Sequence, residues 1–154
     1  MALLMGMKVA EAIKEEARTE AMALREKGVA PRLVAVLVGE NPASRSYVNA
    51  KRRACEAAGL QSEVVRLSET VTTESLLQAV ASLNRDPNVD GILVQLPLPP
   101  HVNKAAVLQA VDPLKDVDGF HPLNVGRTSI NPDAGGVAPC TPAGVIELLK
   151  RSRV

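Results

Sequence analysis

The chain has 154 residues, 46% apolar and 23% charged, with 18 Lys and Arg against 17 Asp and Glu. That length holds one domain with a core of its own, and a net charge of +1 lacks the basic excess of a nucleic-acid binder. No apolar run approaches the roughly 18 residues of a membrane span, and Lys8 interrupts an uncharged start without a cleavage site, so we expect a cytoplasmic protein with neither membrane nor nucleic-acid partner.

Residues 8–27 read as an amphipathic helix: Val9, Ile13, Ala17, Ala21 and Leu24 recur at three- and four-residue steps, and Gly28 stops it. The continuous apolar run 33–38, ending at Gly39, marks a strand covered on both faces. A second helix spans 42–58, with Asn41 as cap, Pro42 at its first position and Gly59 after its end. A weaker strand covers 62–67. Thr73 caps a helix to residue 84, carried by Leu76, Leu77, Val80 and Leu83. Residues 92–96 form a buried strand closed by Pro97, Pro99 and Pro100. A short helix covers 104–111, and 112–137 is loop-rich. Thr141-Pro142 opens a last helix expected to be still running at Leu149. Strands alternating with helices predict an α/β fold in three layers, with a mostly parallel sheet and helices on both faces. Ligands then gather at the carboxyl ends of the strands. Residues 39–44, 95–97 and 115–119 share that rim.

Three features stand out there. On a wheel of about 100° per residue, with Tyr47 at zero, Lys51 falls near 40° among Ala54, Ala58, Cys55 and Val48, inside the arc expected to face the core. A lysine in a half-dry crevice loses part of its preference for the charged form, which suits proton transfer. The bland alternative is a snorkelling side chain. Gln95 interrupts an apolar strand, where an amide needs partners or costs about 1–3 kcal/mol. It is either a structural hydrogen bond or a polar group aimed at the site. Asp116 and Asp118 form an acid pair in a Gly-containing loop, by itself solvated turn chemistry. There is no Trp, and Tyr47 and Phe120 are the only Tyr and Phe. His101 and His121 read as loop residues. Cys55 and Cys140 make neither a disulfide framework nor a metal spacing, and are expected to stay reduced. Cys140 reads as a small buried residue.

Residues 39–51, with Tyr47 and Lys51 in a Tyr-x-x-x-Lys arrangement, resemble the signature of the bifunctional methylenetetrahydrofolate dehydrogenase/methenyltetrahydrofolate cyclohydrolase family. Asp90-Gly91-Ile92-Leu93-Val94-Gln95-Leu96-Pro97-Leu98-Pro99, Lys115-Asp116-Val117-Asp118-Gly119-Phe120-His121-Pro122 and Pro139-Cys140-Thr141-Pro142 match further blocks in family order. The resemblance implies a folate cleft with Lys51, Gln95 and Asp118 as catalytic residues. Ser44, Tyr47, Lys51, Val94, Gln95, Leu96 and Asp118 would bind substrate, Tyr47 by stacking and Asp118 by gripping the pterin's amino edge. It implies NADP-dependent oxidation of 5,10-methylenetetrahydrofolate, then hydrolysis of the methenyl product to 10-formyltetrahydrofolate. It also implies a homodimer for the full-length enzyme and a place in purine biosynthesis. Residues 1–140 would be the folate-binding catalytic domain and 141–154 the start of a linker helix. No Gly-x-Gly-x-x-Gly turn occurs, so NADP is expected to be held mainly by a Rossmann domain absent from this chain. The competing readings are a flavodoxin-like module binding an anion at Asn41–Ser44, and a structural fragment serving dimer contact.

Overall fold

The structure, a computed structural model, describes residues 4–131 and 135–153. Its elements are α1 (Gly6–Glu26), β1 (Arg32–Val38), α2 (Pro42–Ala57), β2 (Gln61–Leu67), α3 (Thr73–Arg85), β3 (Gly91–Val94), α4 (Lys104–Ala110), α5 (Pro122–Ile130) and α6 (Cys140–Arg151). The strands form one wholly parallel sheet in the order β2-β1-β3. β1 is central, running from Arg32↔Gln61 to Val38↔Leu67 against β2, and from Leu33↔Gly91 to Val36↔Val94 against β3.

The unbroken apolar run of β1 has its reason in this placement, because alternate side chains enter two different cores. Val34, Val36 and Val38 join Ile92 and Val94 against Leu76 and Val80 of α3 and Val107 of α4. Ala35, Leu37 and Leu93 turn the other way, against Val48 of α2. Helices therefore cover both faces, as expected. β2 has an unpaired edge, and there Gln61, Glu63 and Arg66 are exposed. Arg32 pairs across the lower end of the sheet with Glu63 and, at 3.8 Å, with Asp86.

Several boundaries differ from the sequence reading. β3 ends at Val94, not Leu96; the Gln95 amide still donates to the Val36 carbonyl at 2.9 Å, and the cis Leu96–Pro97 peptide follows. Thr72, not Thr73, caps α3, its Oγ1 accepting from the Ser75 amide. α6 ends at Arg151. The stretch expected to be loop holds α5; residues 132–134 of it lie outside the described residues. α5 lacks an apolar stripe to announce it, since Leu123, Val125 and Ile130 are all exposed. Its signals were terminal: Pro122 at the first turn and His121, whose Nδ1 accepts from the Leu123 amide. α1 buries only Ala21 among its described residues, leaving Ile13 37% and Leu24 38% exposed, so its predicted core-facing seam is mostly uncovered.

The α3 core carries much of the burial energy, at about 1.5–3 kcal/mol per fully buried aliphatic side chain. Leu76→Ala is expected to lower unfolding free energy in urea by about 2–5 kcal/mol, whereas Ile13→Ala on exposed α1 should change it by about 0.5 kcal/mol or less. Equal losses at the two positions would contradict this division between core and surface.

Candidate active site

The site is built where β1 and β3 end. Beyond β1 the backbone turns at Gly39, φ +74°, and α2 begins. Asn41 Oδ1 accepts from the Ala43 and Ser44 amides at 3.0 and 3.1 Å, satisfying donors that the helix cannot pair itself. Those amides are thus already engaged, which removes the basis of an anion-binding module at this helix start. Ser44 and Val48 are buried, at 4% and 1% exposure, and fix the inner face of α2.

The wheel needs one correction. At about 100° per residue, Ser44 falls near 60°, Cys55 near 80° and Val48 near 100°, so the buried line centres on these residues. Lys51 lies at its edge, and Tyr47 and Ala54 lie outside it and are exposed. Tyr47, 66% exposed, stands free in the cleft one turn before Lys51. The sheet takes up Val48 and leaves the ring outside.

Asp118 comes from the loop after the Ile92↔Asp116 bridge on the free edge of β3. Its Oδ1 lies 3.9 Å from Lys51 Nζ, with the two side chains 18% and 38% exposed. This is an ion pair at longer than hydrogen-bond range. Burial pushes the Asp118 carboxyl above its ordinary value, Lys51 opposes that, and the nearby Asp116 charge adds to it. Asp116 is no solvated turn residue. It is 5% exposed and accepts from the His121 amide at 2.8 Å and from Asn124 Nδ2 at 3.0 Å. Gly119 has φ +67°, and a Cβ there would lie 2.5 Å from the Val137 carbonyl oxygen and 2.8 Å from the Pro139 nitrogen. Only glycine fits, and the acidic loop therefore lies directly on the segment entering α6.

Gln95 stands just past β3. Its Nε2 donates to the Leu96 carbonyl at 2.7 Å, while Oε1 is buried without a partner. An unpaired buried acceptor costs about 1–3 kcal/mol, and a ligand donor would relieve it. Val94 is placed differently from the expectation: at 4% exposure its side chain enters the α3–α4 core, as strand alternation requires, and not the cleft. Leu96, Ser44, Tyr47, Lys51, Gln95 and Asp118 do meet, around one cleft of about 670 Å³. That suits a small molecule.

Reading the sequence alone missed part of this wall. Phe120, 40% exposed, lines the same cleft, so the only Tyr and the only Phe both lie here. Their rarity was the available signal. Cys140, expected to be a small buried residue, is exposed at the start of α6 on this wall. His121, read as loop, caps α5. Among the described residues no group of His, Cys, Asp or Glu is arranged to hold a metal ion, and no helix is long and apolar enough to cross a membrane.

The chain is similar to known proteins over nearly its whole length. The model of the tetrahydrofolate dehydrogenase/cyclohydrolase catalytic domain matches residues 4–118. The bifunctional protein FolD of Brevibacillus brevis is 47% identical over 150 residues, covering 97% of this chain and 52% of that protein. The crystal structure of the bifunctional FolD dehydrogenase/cyclohydrolase of Campylobacter jejuni superposes with a TM-score of 0.96 at 46% identity, covering 99% of this chain and 54% of its own. The Trypanosoma brucei enzyme, solved with NADP cofactor and inhibitor, gives 0.92 at 39% identity, with 99% and 52% covered. The chain thus spans about half the length of the relatives it matches.

A carboxyl raised on folding stabilises the fold below its ordinary pKa and loses that contribution as pH rises through the folded value. Asp118→Asn is therefore expected to raise the melting temperature at neutral pH, with the gap closing as the medium is acidified below the carboxylate range. Thermal unfolding followed by circular dichroism across pH checks this. A variant less stable than the parent at neutral pH would show that pairing with Lys51 outweighs burial.

Proposed function

The chain belongs to the tetrahydrofolate dehydrogenase/cyclohydrolase family, and from that premise we propose that it supplies the folate-binding catalytic half of an enzyme of one-carbon metabolism. The full enzyme oxidises 5,10-methylenetetrahydrofolate to the 5,10-methenyl cation with NADP and hydrolyses that cation to 10-formyltetrahydrofolate. Residues 1–140 form the catalytic domain, and 141–154 begin a connection to a nucleotide-binding domain. The assembly is a cytoplasmic homodimer whose product serves purine biosynthesis. The observation that carries the reading is the cleft itself: Tyr47 and Phe120 line it together with the Lys51–Asp118 ion pair and Gln95, whose buried Oε1 is unpartnered.

Each group has a task in that cleft. The exposed Tyr47 ring stacks on the folate ring system. Asp118, ionised, accepts paired N–H bonds from the pterin's amino edge. Gln95 Oε1 accepts from whichever donor the substrate or Lys51 brings. In hydrolysis, water adds to the one-carbon bridge of the methenyl cation, and its proton passes to Lys51 Nζ in the neutral amine form. The bridge then parts from N5, leaving the formyl group on N10 and a proton on N5. The described residues do not by themselves fit the NADP pyrophosphate. No Gly-rich turn follows a strand, and the α2 amides of Ala43 and Ser44 are taken by Asn41. No hydride step is therefore assigned to residues of this chain.

With one Tyr and no Trp, intrinsic fluorescence reports on position 47 alone. Folic acid is expected to quench it saturably. Loss of 5,10-methenyltetrahydrofolate absorbance in the presence of this chain should slow about 10²–10⁴-fold on Lys51→Met, the usual contribution of a proton-transfer group. Unchanged hydrolysis in a variant that still binds folic acid would remove Lys51 from the chemistry. Added NADP should produce no oxidation by the chain alone.

A further inference from the structure

We propose that Lys115 is a positioning residue for Asp118: it clamps the acidic loop to the carboxyl end of α3 on the opposite side of the sheet from α2, and so sets where the Asp118 carboxylate meets Lys51. The clamp is visible atom by atom. Lys115 Nζ donates to the carbonyls of Leu83, Asn84 and Asp86 at 3.3, 2.8 and 2.7 Å. An ammonium has three donors, and these bonds use all of them. The acceptors belong to the last turn of α3 and its cap, where the Leu83 carbonyl otherwise takes only a 3.3 Å bond from the Asp86 amide and the Asp86 carbonyl one of 3.2 Å from the Val89 amide. Cations are favoured at that end. The lysine thus caps a helix from about thirty residues away.

The backbone completes the anchor. The Lys115 carbonyl accepts from the Ile92 amide of β3 at 2.7 Å, and the Lys115 amide donates to the Asp112 carbonyl at 2.8 Å. Asn84 reinforces the same junction, donating to the Ala110 carbonyl at 2.7 Å and accepting from the Asp112 amide at 2.9 Å.

The residues that follow are fixed in turn. Asp116 is held by His121 and Asn124, and Asn124 Nδ2 also reaches the Pro113 carbonyl at 2.9 Å. Val117 covers Gly91 so closely that a Cβ there would lie 2.6 Å from Val117 Cγ1. Gly119 lies against residues 137–139. Asp118 is the member of this stretch whose side chain faces the cleft and Lys51. A carboxylate on an ordinary loop would swing toward water, away from its partner. Here the neighbours on both sides are pinned, and the first pin is Lys115.

The role in folate binding rests on the function proposed above, so the test separates the two. Lys115→Met leaves the cleft lining unchanged and removes the clamp. NMR titration of the Asp118 carboxyl should show its midpoint falling toward the ordinary value, because burial is the largest cause of its elevation and a loosened loop rehydrates it. The groups facing it, Lys51 on α2 and Asp116 on its own loop, are unaltered. Folic acid affinity, read from Tyr47 quenching, should weaken about tenfold, and Lys115→Arg should recover part of both effects. A Met variant that loses stability while the Asp118 midpoint stays in place would reduce Lys115 to a helix cap and overturn the proposal. Should that variant not fold, the Arg variant and the unaltered protein decide. In the unaltered protein the Ile92 and His121 amides should exchange with solvent as slowly as those of β1, and fast exchange there would refute a clamped loop. Failure of folic acid to bind the unaltered chain would count against the proposed function, leaving the titration to judge the clamp.

Discussion

A carboxylate and an ammonium brought to 3.9 Å, neither one freely solvated, impose requirements on everything around them. The carboxylate is held in a place where water would otherwise lower its free energy, and burial there pushes its pKa above the ordinary value. That arrangement persists only on a support stiffer than the tendency of the loop to relax. The parallel sheet provides the support. β1 runs two residues past the end of β3, α2 follows β1 carrying Lys51, and the edge of β3 receives the loop carrying Asp118.

What the sequence disclosed, and what it did not, follows the range of the interactions concerned. The central strand could be read because both its faces are covered, so its apolar run has no polar interruption. The start of α2 could be read because Asn41, Pro42 and the amides they serve lie within a few residues of one another. Lys51 was recognised as anomalous, though its wheel position was judged by apolarity alone. The sheet selects Val48 and Ser44, a choice that depends on the depth of the neighbouring strand. α5 was missed because its apolar side chains remain exposed, leaving only end signals. The roles of Lys115, Asp116 and Asn124 were not legible at all. A lysine beside two acids reads as surface chemistry until the fold carries it to carbonyls about thirty residues earlier.

Gly119 and Gly91 illustrate the same point from the backbone. Each is a place where two segments approach more closely than a Cβ permits, Gly91 against Val117 and Gly119 against the chain at 137–139. In the sequence they are two glycines among 10. In the fold they bring the acidic loop into direct contact with the sheet below it and with the entry to α6 beside it.

The distribution of aromatic rings has a consequence for how this protein can change. The interior is filled by Val, Leu, Ile and Ala, and the only Tyr and Phe lie on the cleft with much of their surface open. Large planar side chains are usually shared between packing and recognition, so altering one leaves a void as well as a lost contact. Here the two demands fall on different residues. The cleft wall can be altered at 47 and 120 while the aliphatic cores beneath keep their own contacts.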